Sequence, residues 1–166
     1  EGDVICLLGR TREELGGSEY LAVVHGLARG APPWIDLEAE MRLHRLMLVA
    51  VGERVLRSAQ DVADGGLAVA LAECSFGGTR LGFRVALERD CRADALLFGE
   101  SQSRMVVSLR KKHLGRLRDL ARREDVPVAT IGEVRGQSLA IDGLINLPVE
   151  ATRERWRRVL DRRLGA

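Results

Sequence analysis

Residues 58–71, Ser-Ala-Gln-Asp-Val-Ala-Asp-Gly-Gly-Leu-Ala-Val-Ala-Leu, force a strand-to-helix junction in the middle of the chain. A short strand over 55–59 leads to two acids, Asp61 and Asp64, then to Gly65-Gly66. An amphipathic helix over 66–75 follows at once, with Leu67, Ala70, Leu71 and Cys74 on one stripe. Diglycine at a helix start lets the backbone come close to a ligand and leaves N–H groups pointing outward, where they favour an anion such as phosphate. The acids beside them could hold a divalent cation bridging to the same phosphate. The same residues also fit a plainer reading, in which one Asp caps the helix and the other faces water.

Around this junction the pattern alternates. A strand is expected over 3–8, closed by Gly9. Ser18 is placed to cap a short helix ending near His25, and Pro32-Pro33 then forces an extended link. Asp36 is an N-cap for a helix over 37–51, with Leu37, Met41, Leu48 and Val51 on one apolar face beside Leu43, Leu46 and Met47, and Gly52 ends it. Gly77-Gly78 reads as a turn. Strands are expected over 81–87, 95–98 and 104–109, the last two joined by the tight loop 99–103. A helix over 112–124 precedes a β-pair, 127–134 with 138–141, turned at Arg135-Gly136-Gln137. Pro148 opens a last helix over 149–164, with Thr152, Trp156, Val159 and Leu160 inward. Strands and helices mixed in this order predict an α+β, three-layer α/β/α domain: a mixed β-sheet flanked by helices, spanning 1–166 as one unit.

Length and composition suit that unit. The chain has 166 residues, 46% of them hydrophobic and 30% charged, enough for one domain with a real core. Its 26 basic and 24 acidic residues leave a formal charge of +2, which gives no reason to expect nucleic acid. No apolar run approaches the ~20 residues of a membrane span. Three widely spaced cysteines, Cys6, Cys74 and Cys91, form no CxxC, and read as buried or half-buried reduced thiols of a cytoplasmic protein. The chain starts without Met, and Glu1-Gly2-Asp3 runs straight into the apolar Val4–Leu8, as in a piece of something longer.

Three further places could carry chemistry. In the loop 99–103, Glu100, Ser101 and Gln102 can aim a carboxylate, a hydroxyl and an amide at one ligand, or form a polar turn; Arg104 beside them could pair with Glu100 or with a phosphate. Gly16-Gly17-Ser18-Glu19-Tyr20 is a second Gly-rich helix entry, for which a turn with an N-cap suffices. His25, His44 and His113 share no close spacing with each other or with a cysteine, so they define neither a metal site nor a nucleophile–base pair. The Arg-rich last helix reads as a solvated face or a basic surface for a partner subunit.

Taken in order, Gly2-Asp3-Val4-Ile5 before Leu7-Leu8-Gly9, then Leu15-Gly16-Gly17-Ser18-Glu19-Tyr20, Pro32-Pro33 with Ile35-Asp36-Leu37-Glu38, Ser58 to Ala68, Leu97-Phe98-Gly99-Glu100-Ser101-Gln102-Ser103-Arg104 and Ile131-Gly132-Glu133-Val134 resemble the C-terminal end of phosphoribosylformylglycinamidine synthase, large-subunit type. The resemblance covers nearly the whole chain. It implies the fold of the C-terminal domain of aminoimidazole ribonucleotide synthetase. It also implies an activity for a whole protein of that family: ATP-dependent conversion of formylglycinamide ribonucleotide, with glutamine-derived ammonia, to formylglycinamidine ribonucleotide in purine biosynthesis, a carbon–nitrogen ligation. ATP or ADP and Mg2+ are the implied cofactors. The implied partners are upstream ATP-binding domains of the same chain, a glutaminase subunit, a small accessory subunit and the ribonucleotide substrate.

Carried over by motif, Asp61 is the implied metal ligand, and Asp64, Gly65, Gly66, Glu100, Ser101, Gln102 and Arg104 are implied nucleotide or substrate contacts. By the family's internal pseudo-symmetry they would face its second, non-catalytic nucleotide site. The family's histidine in Ser-Ala-His-Asp is Gln60 here, and the family's catalytic groups lie upstream of the segment this chain resembles. The resemblance therefore implies no catalytic residue among these 166, and no synthase activity for them alone. Two alternatives stand beside it: a non-catalytic nucleotide-binding or scaffold module that docks a glutaminase, and a domain of a selenophosphate-synthetase-like enzyme.

Overall fold

A computed structural model of the chain describes residues 1–77 and 80–164, the backbone alone from 160 onward. Its elements are β1 (Val4–Leu8), α1 (Glu19–His25), α2 (Leu37–Gly52), β2 (Ser58–Asp61), α3 (Gly66–Cys74), β3 (Phe83–Val85), α4 (Ala93–Phe98), β4 (Met105–Leu109), a 3-10 turn at Lys111–His113, α5 (Leu114–Arg123), β5 (Val128–Val134), β6 (Ser138–Ile141), β7 (Ile145–Pro148) and α6 (Val149–Leu164). One seven-stranded sheet runs in the order β2-β4-β1-β5-β3-β6-β7. Its neighbours are antiparallel except β3 and β6, so the sheet is mixed.

Helices cover both faces of that sheet. β1 shows why: its five residues are apolar throughout, the mark of a strand buried on two sides. Ile5 and Leu7 join a core built on Leu67, Ala70 and Leu71 of α3 and Leu97 of α4. Cys6 and Leu8 point the other way, into a core with Leu43, Leu46 and Met47 of α2 and Leu117 and Leu120 of α5. The expected three-layer arrangement follows from this alternation.

Both predicted N-caps form. Asp36 Oδ1 accepts from the Glu38 and Ala39 N–H groups at 3.0 and 3.1 Å, and the Ser18 hydroxyl accepts from Leu21 N–H at 3.4 Å. Several expectations fail for identifiable reasons. The apolar run 95–98 lies in helix α4, not in a strand; Ala93 to Phe98 contains no β-branched residue, and the Asp94 carboxylate accepts from Ala95 N–H in the first turn. The loop 99–103 therefore joins a helix to a strand.

β5 and β6 do not pair with each other. β3 lies between them, with Phe83 opposite Val134 on one side and Leu139 on the other. Crossing one intervening strand spans ~10 Å, within reach of the four Cα steps from Val134 to Ser138 at ~3.3–3.6 Å each, so link length does not separate a hairpin from a hop. β2 begins three residues later than expected, because Val55 is buried in the α2–α5 core before the chain turns onto β4.

The apolar residues read on α2 divide between two faces. Leu43, Leu46, Met47 and Ala50 face the sheet, while Leu37, Met41, Leu48 and Val51 are exposed, Leu48 by 75%. The helix carries two apolar stripes, and only one meets this sheet. Cys74 and Trp156, also expected inward, are exposed, although Trp156 keeps a tilted contact with Phe76 at 5.4 Å. Val159 is half exposed, and the Leu160 side chain and Gly78 lie outside the described residues.

Candidate functional site

The Asp61–Gly66 turn meets the 99–104 loop at the carboxyl end of β2 and the start of α3. Both glycines have left-handed backbones, φ 80° at Gly65 and 72° at Gly66, which explains the pair in conformational terms. Gly66 is needed for a second reason. A Cβ there would lie 2.7 Å from the backbone of Phe98 and Gly99. The close approach that the diglycine permits is thus between α3 and the end of α4.

The N–H groups at this turn are occupied from inside the protein. Gly65 N–H donates to Glu100 Oε1 at 2.8 Å, and Gly66 N–H to Ala63 O at 3.0 Å. They are not the outward-pointing donors expected of the motif. The same Glu100 oxygen also accepts from the N–H of Glu19, first residue of α1, at 2.9 Å. One buried carboxylate oxygen therefore ties the two Gly-rich helix entries together. The sequence offered a signal for this that was not read: a Gly-Glu step at the end of a short helix, with two Gly-rich helix entries elsewhere needing an acceptor.

Ser101 and Arg104 are equally internal. The Ser101 hydroxyl accepts from Arg12 N–H at 3.1 Å and donates to Arg12 O. Arg104 is 2% exposed and donates to Gly99 O at 2.6 Å, Ser101 O at 2.9 Å and the Thr11 hydroxyl at 3.1 Å. Among the described residues it pairs with neither Glu100 nor any other acid at contact distance. Burial pushes its guanidinium down to about 10, against the opposing pull of Glu14 and Cys91. Arg104 thus pins the 99–104 loop to the segment that follows β1.

Asp61, Asp64 and Gln102 differ from these three. All are exposed. Neither Asp carboxylate makes an ion pair or side-chain hydrogen bond among the described residues, and the Gln102 amide turns back onto Glu100 O at 3.1 Å. Asp61 and Gln102 line a groove of about 650 Å³ between α2 and the β2–β4 edge, whose other wall is Met47, Leu48 and Val51. Asp64 does not line it. The contribution of α2 to this wall was not read from sequence, where no role was given to its second apolar face. Among the described residues no group of three or more His, Cys, Asp or Glu is placed to hold a metal ion, and no helix is long and apolar enough to cross a membrane.

Residues 1–142 match the family described as AIR synthase related protein, C-terminal domain. Phosphoribosylformylglycinamidine synthase subunit PurL of Caldanaerobacter subterraneus is 40% identical over 161 residues, 95% of this chain and 22% of that protein. The subunit of the same name from Moorella thermoacetica is 45% identical over 161 residues, again 95% of this chain and 22% of that protein. The chain thus spans about a fifth of the length of either relative. Among solved structures, T. maritima PurL complexed with ATP superposes with a TM-score of 0.69 and 26% identity, covering 90% of this chain and 25% of that one.

Proposed function

We propose, since the chain belongs to the AIR synthase related protein family as its C-terminal domain, that it serves as the C-terminal domain of a phosphoribosylformylglycinamidine synthase. The whole protein would then be a carbon–nitrogen ligase of purine biosynthesis. It would use ATP and glutamine-derived ammonia to turn formylglycinamide ribonucleotide into formylglycinamidine ribonucleotide. The observation that carries this reading is the likeness to PurL, 40% and 45% identity over 95% of this chain.

Within that reading the chain's residues divide by what they have free. Asp61, Asp64 and Gln102 face outward and would contact the nucleotide or substrate. Gly65, Gly66, Glu100, Ser101 and Arg104 form the frame that presents them. Asp61 fits a magnesium ion as one carboxylate ligand, the others coming from phosphate oxygens and water, which is how this ion is commonly held at nucleotides. Magnesium, when bound, offsets phosphate charge. The exposed α2 stripe of Leu37, Met41, Leu48 and Val51 supports a contact with the upstream ATP-binding domains, since apolar surface of this kind marks interaction sites. A glutaminase subunit and a small accessory subunit complete the proposed assembly, placed in the cytoplasm. No residue here is assigned a bond-making role, and the 166 residues alone would turn over no substrate.

Calorimetry with ADP and magnesium on the full-length protein tests the site. Asp61→Asn is expected to weaken binding about tenfold, the loss of one charged contact of ~1.4 kcal/mol. Unchanged affinity would remove Asp61 from the nucleotide. A second reading, a scaffold domain that binds no nucleotide at this corner, is favoured by Glu100 already occupying the N–H groups of both helix entries. Absence of ADP binding at the corner decides for it.

A further inference from the structure

A second groove, of about 390 Å³, lies between α3, the β6–β7 hairpin and α6, and shares no lining residue with the Asp61 groove. Val69 and Ala72 of α3 form one wall, the two strands the floor, and Thr152, Trp156 and Val159 of α6 the other wall. The walls are tied at one end, where the Phe76 and Trp156 rings meet at 5.4 Å and Arg153 Nε donates to Phe76 O at 3.0 Å. β7 and α6 lie past residue 142, where the match to the family ends.

The groove is a gap in the helix layer. α3 is apolar on both sides: Leu67, Ala70 and Leu71 fill the core, while Val69 and Ala72 line the groove half-buried. A helix apolar all round belongs inside a protein. On the far wall Trp156 and Val159 are half-exposed, as is Leu147 on the floor. Positions 152, 155, 156 and 159 share one face of α6, so this helix turns its apolar face to a space and not to a neighbour. A helix suits such a gap. It packs ~8–10 Å from its neighbours and satisfies its own backbone, which an extended segment laid over a sheet face does not.

Charge says which kind of helix. Residues 149–164 carry six arginines against three acids, while the rest of the chain has 20 basic and 21 acidic residues, so the positive excess of the chain resides in α6. Arg158 pairs with Glu154, and Arg153 is held by Phe76 O. Arg155, in the groove wall, and Arg157 make no ion pair among the described residues. The acid that lines the groove, Glu73, stands on the α3 wall. We infer that this groove receives an amphipathic helix of a partner protein, with large aliphatic side chains inward and carboxylates along the edge beside α6. The edge beside α3 carries no acid, because Glu73 repels one there. The inference rests on neither the synthase reading nor the contact proposed for α2.

Isothermal titration of the full-length protein with three stapled helical peptides tests it. The first has leucine on one face and glutamate on the other, the second replaces glutamate by lysine, and the third replaces leucine by serine. The leucine–glutamate peptide is expected to bind at least about tenfold more tightly than either of the others, a difference of ~1.4 kcal/mol. Val159→Glu should weaken it by about tenfold or more. Arg155→Glu should abolish the preference for glutamate over lysine. Glu73→Gln should leave the leucine–glutamate peptide bound as tightly or more so. Arg84→Gln, at an exposed pair with Asp142, should change nothing. Should Val159→Glu fail to fold by thermal melting, Arg155→Glu, at an exposed side chain, keeps the test open. No binding at millimolar peptide, a lysine peptide bound equally well, or affinity unmoved by both variants overturns the assignment. So does either rival occupant: a second copy, seen as self-association in sedimentation, or a membrane, seen as adsorption to phosphatidylserine vesicles, where Val159→Glu abolishes the effect.

Discussion

Gly66→Ala separates two explanations of the diglycine that its sequence alone cannot. If Gly66 is there to let a ligand approach, a methyl group should leave the fold nearly intact. The structure says otherwise. Placing Ala at φ 72° costs ~1–2 kcal/mol of left-handed strain. Its Cβ would also sit 2.7 Å from Phe98 Cα, Phe98 C and Gly99 O. Those are backbone atoms, so relief requires moving the end of α4 off α3, and overpacking of this kind costs a further ~1–3 kcal/mol. The expected total is ~2–5 kcal/mol, about 4–20 °C in melting temperature for a chain of this size. Gly136→Ala is the internal control: φ there is 63°, and nothing lies within 4 Å of the added Cβ. It carries the strain and not the collision. Urea melts of both variants, followed by circular dichroism, measure the difference between them, ~1–3 kcal/mol. If Gly66→Ala is no more destabilising than Gly136→Ala, the α3–α4 contact is not what demands the glycine.

Three further outcomes are expected. Glu100→Leu removes the acceptor for both Gly65 and Glu19 N–H; it should lower stability by ~2–4 kcal/mol and speed amide exchange at those two positions ahead of the rest of the sheet. Arg104→Met deletes three internal hydrogen bonds but also removes a buried charge, so its cost should stay near ~1–3 kcal/mol; a loss above about 5 kcal/mol in the same melts would show that the charge itself stabilises the loop. The Arg116 guanidinium bonded to Glu53 holds that carboxyl below its ordinary value. A depressed folded-state value means stability present above the unfolded value and lost as pH falls through the folded one. Glu53→Gln should therefore melt less steeply with acid below about pH 4.5 than the parent, and an unchanged acid limb would show that the pair contributes nothing there.

What could be read in advance depended on how local the cause was. Ser18 and Asp36 cap their helices through bonds that span two or three residues, and the sequence carries all the information those bonds need. β1 was legible because a strand buried on both faces is apolar at every position. The α2 face was not. Leu37-Met41-Leu48-Val51 and Leu43-Leu46-Met47-Ala50 are both apolar stripes at helical spacing, and only the position of the sheet selects the second. β3 slipping between β5 and β6 is likewise a decision made 50 residues away, by Phe83 and Val85 needing the core beside Leu139 and Ile141. At the candidate site the residue types were legible and their directions were not. Asp61 and Glu100 are both acids in short polar turns, yet one faces the groove and the other is 9% exposed and bonded inward.

That inward turn bears on how much anion-binding capacity the corner retains. A helix N-terminus and a glycine turn present N–H groups that favour negative charge, and in many sites a phosphate supplies it. Here the Glu100 carboxylate supplies it to both elements through one oxygen. Because that charge is covalently part of the chain, the geometry of the corner does not depend on a bound anion. An external phosphate would have to displace a charged hydrogen-bond acceptor that costs no translational entropy to keep in place. Phosphate contacts at this end of the sheet are therefore disfavoured at the Gly65 N–H itself. On the proposed reading they fall instead to the Asp61 and Asp64 carboxylates, through a cation. The motif thus serves as a joint between α1, α3 and the 99–104 loop.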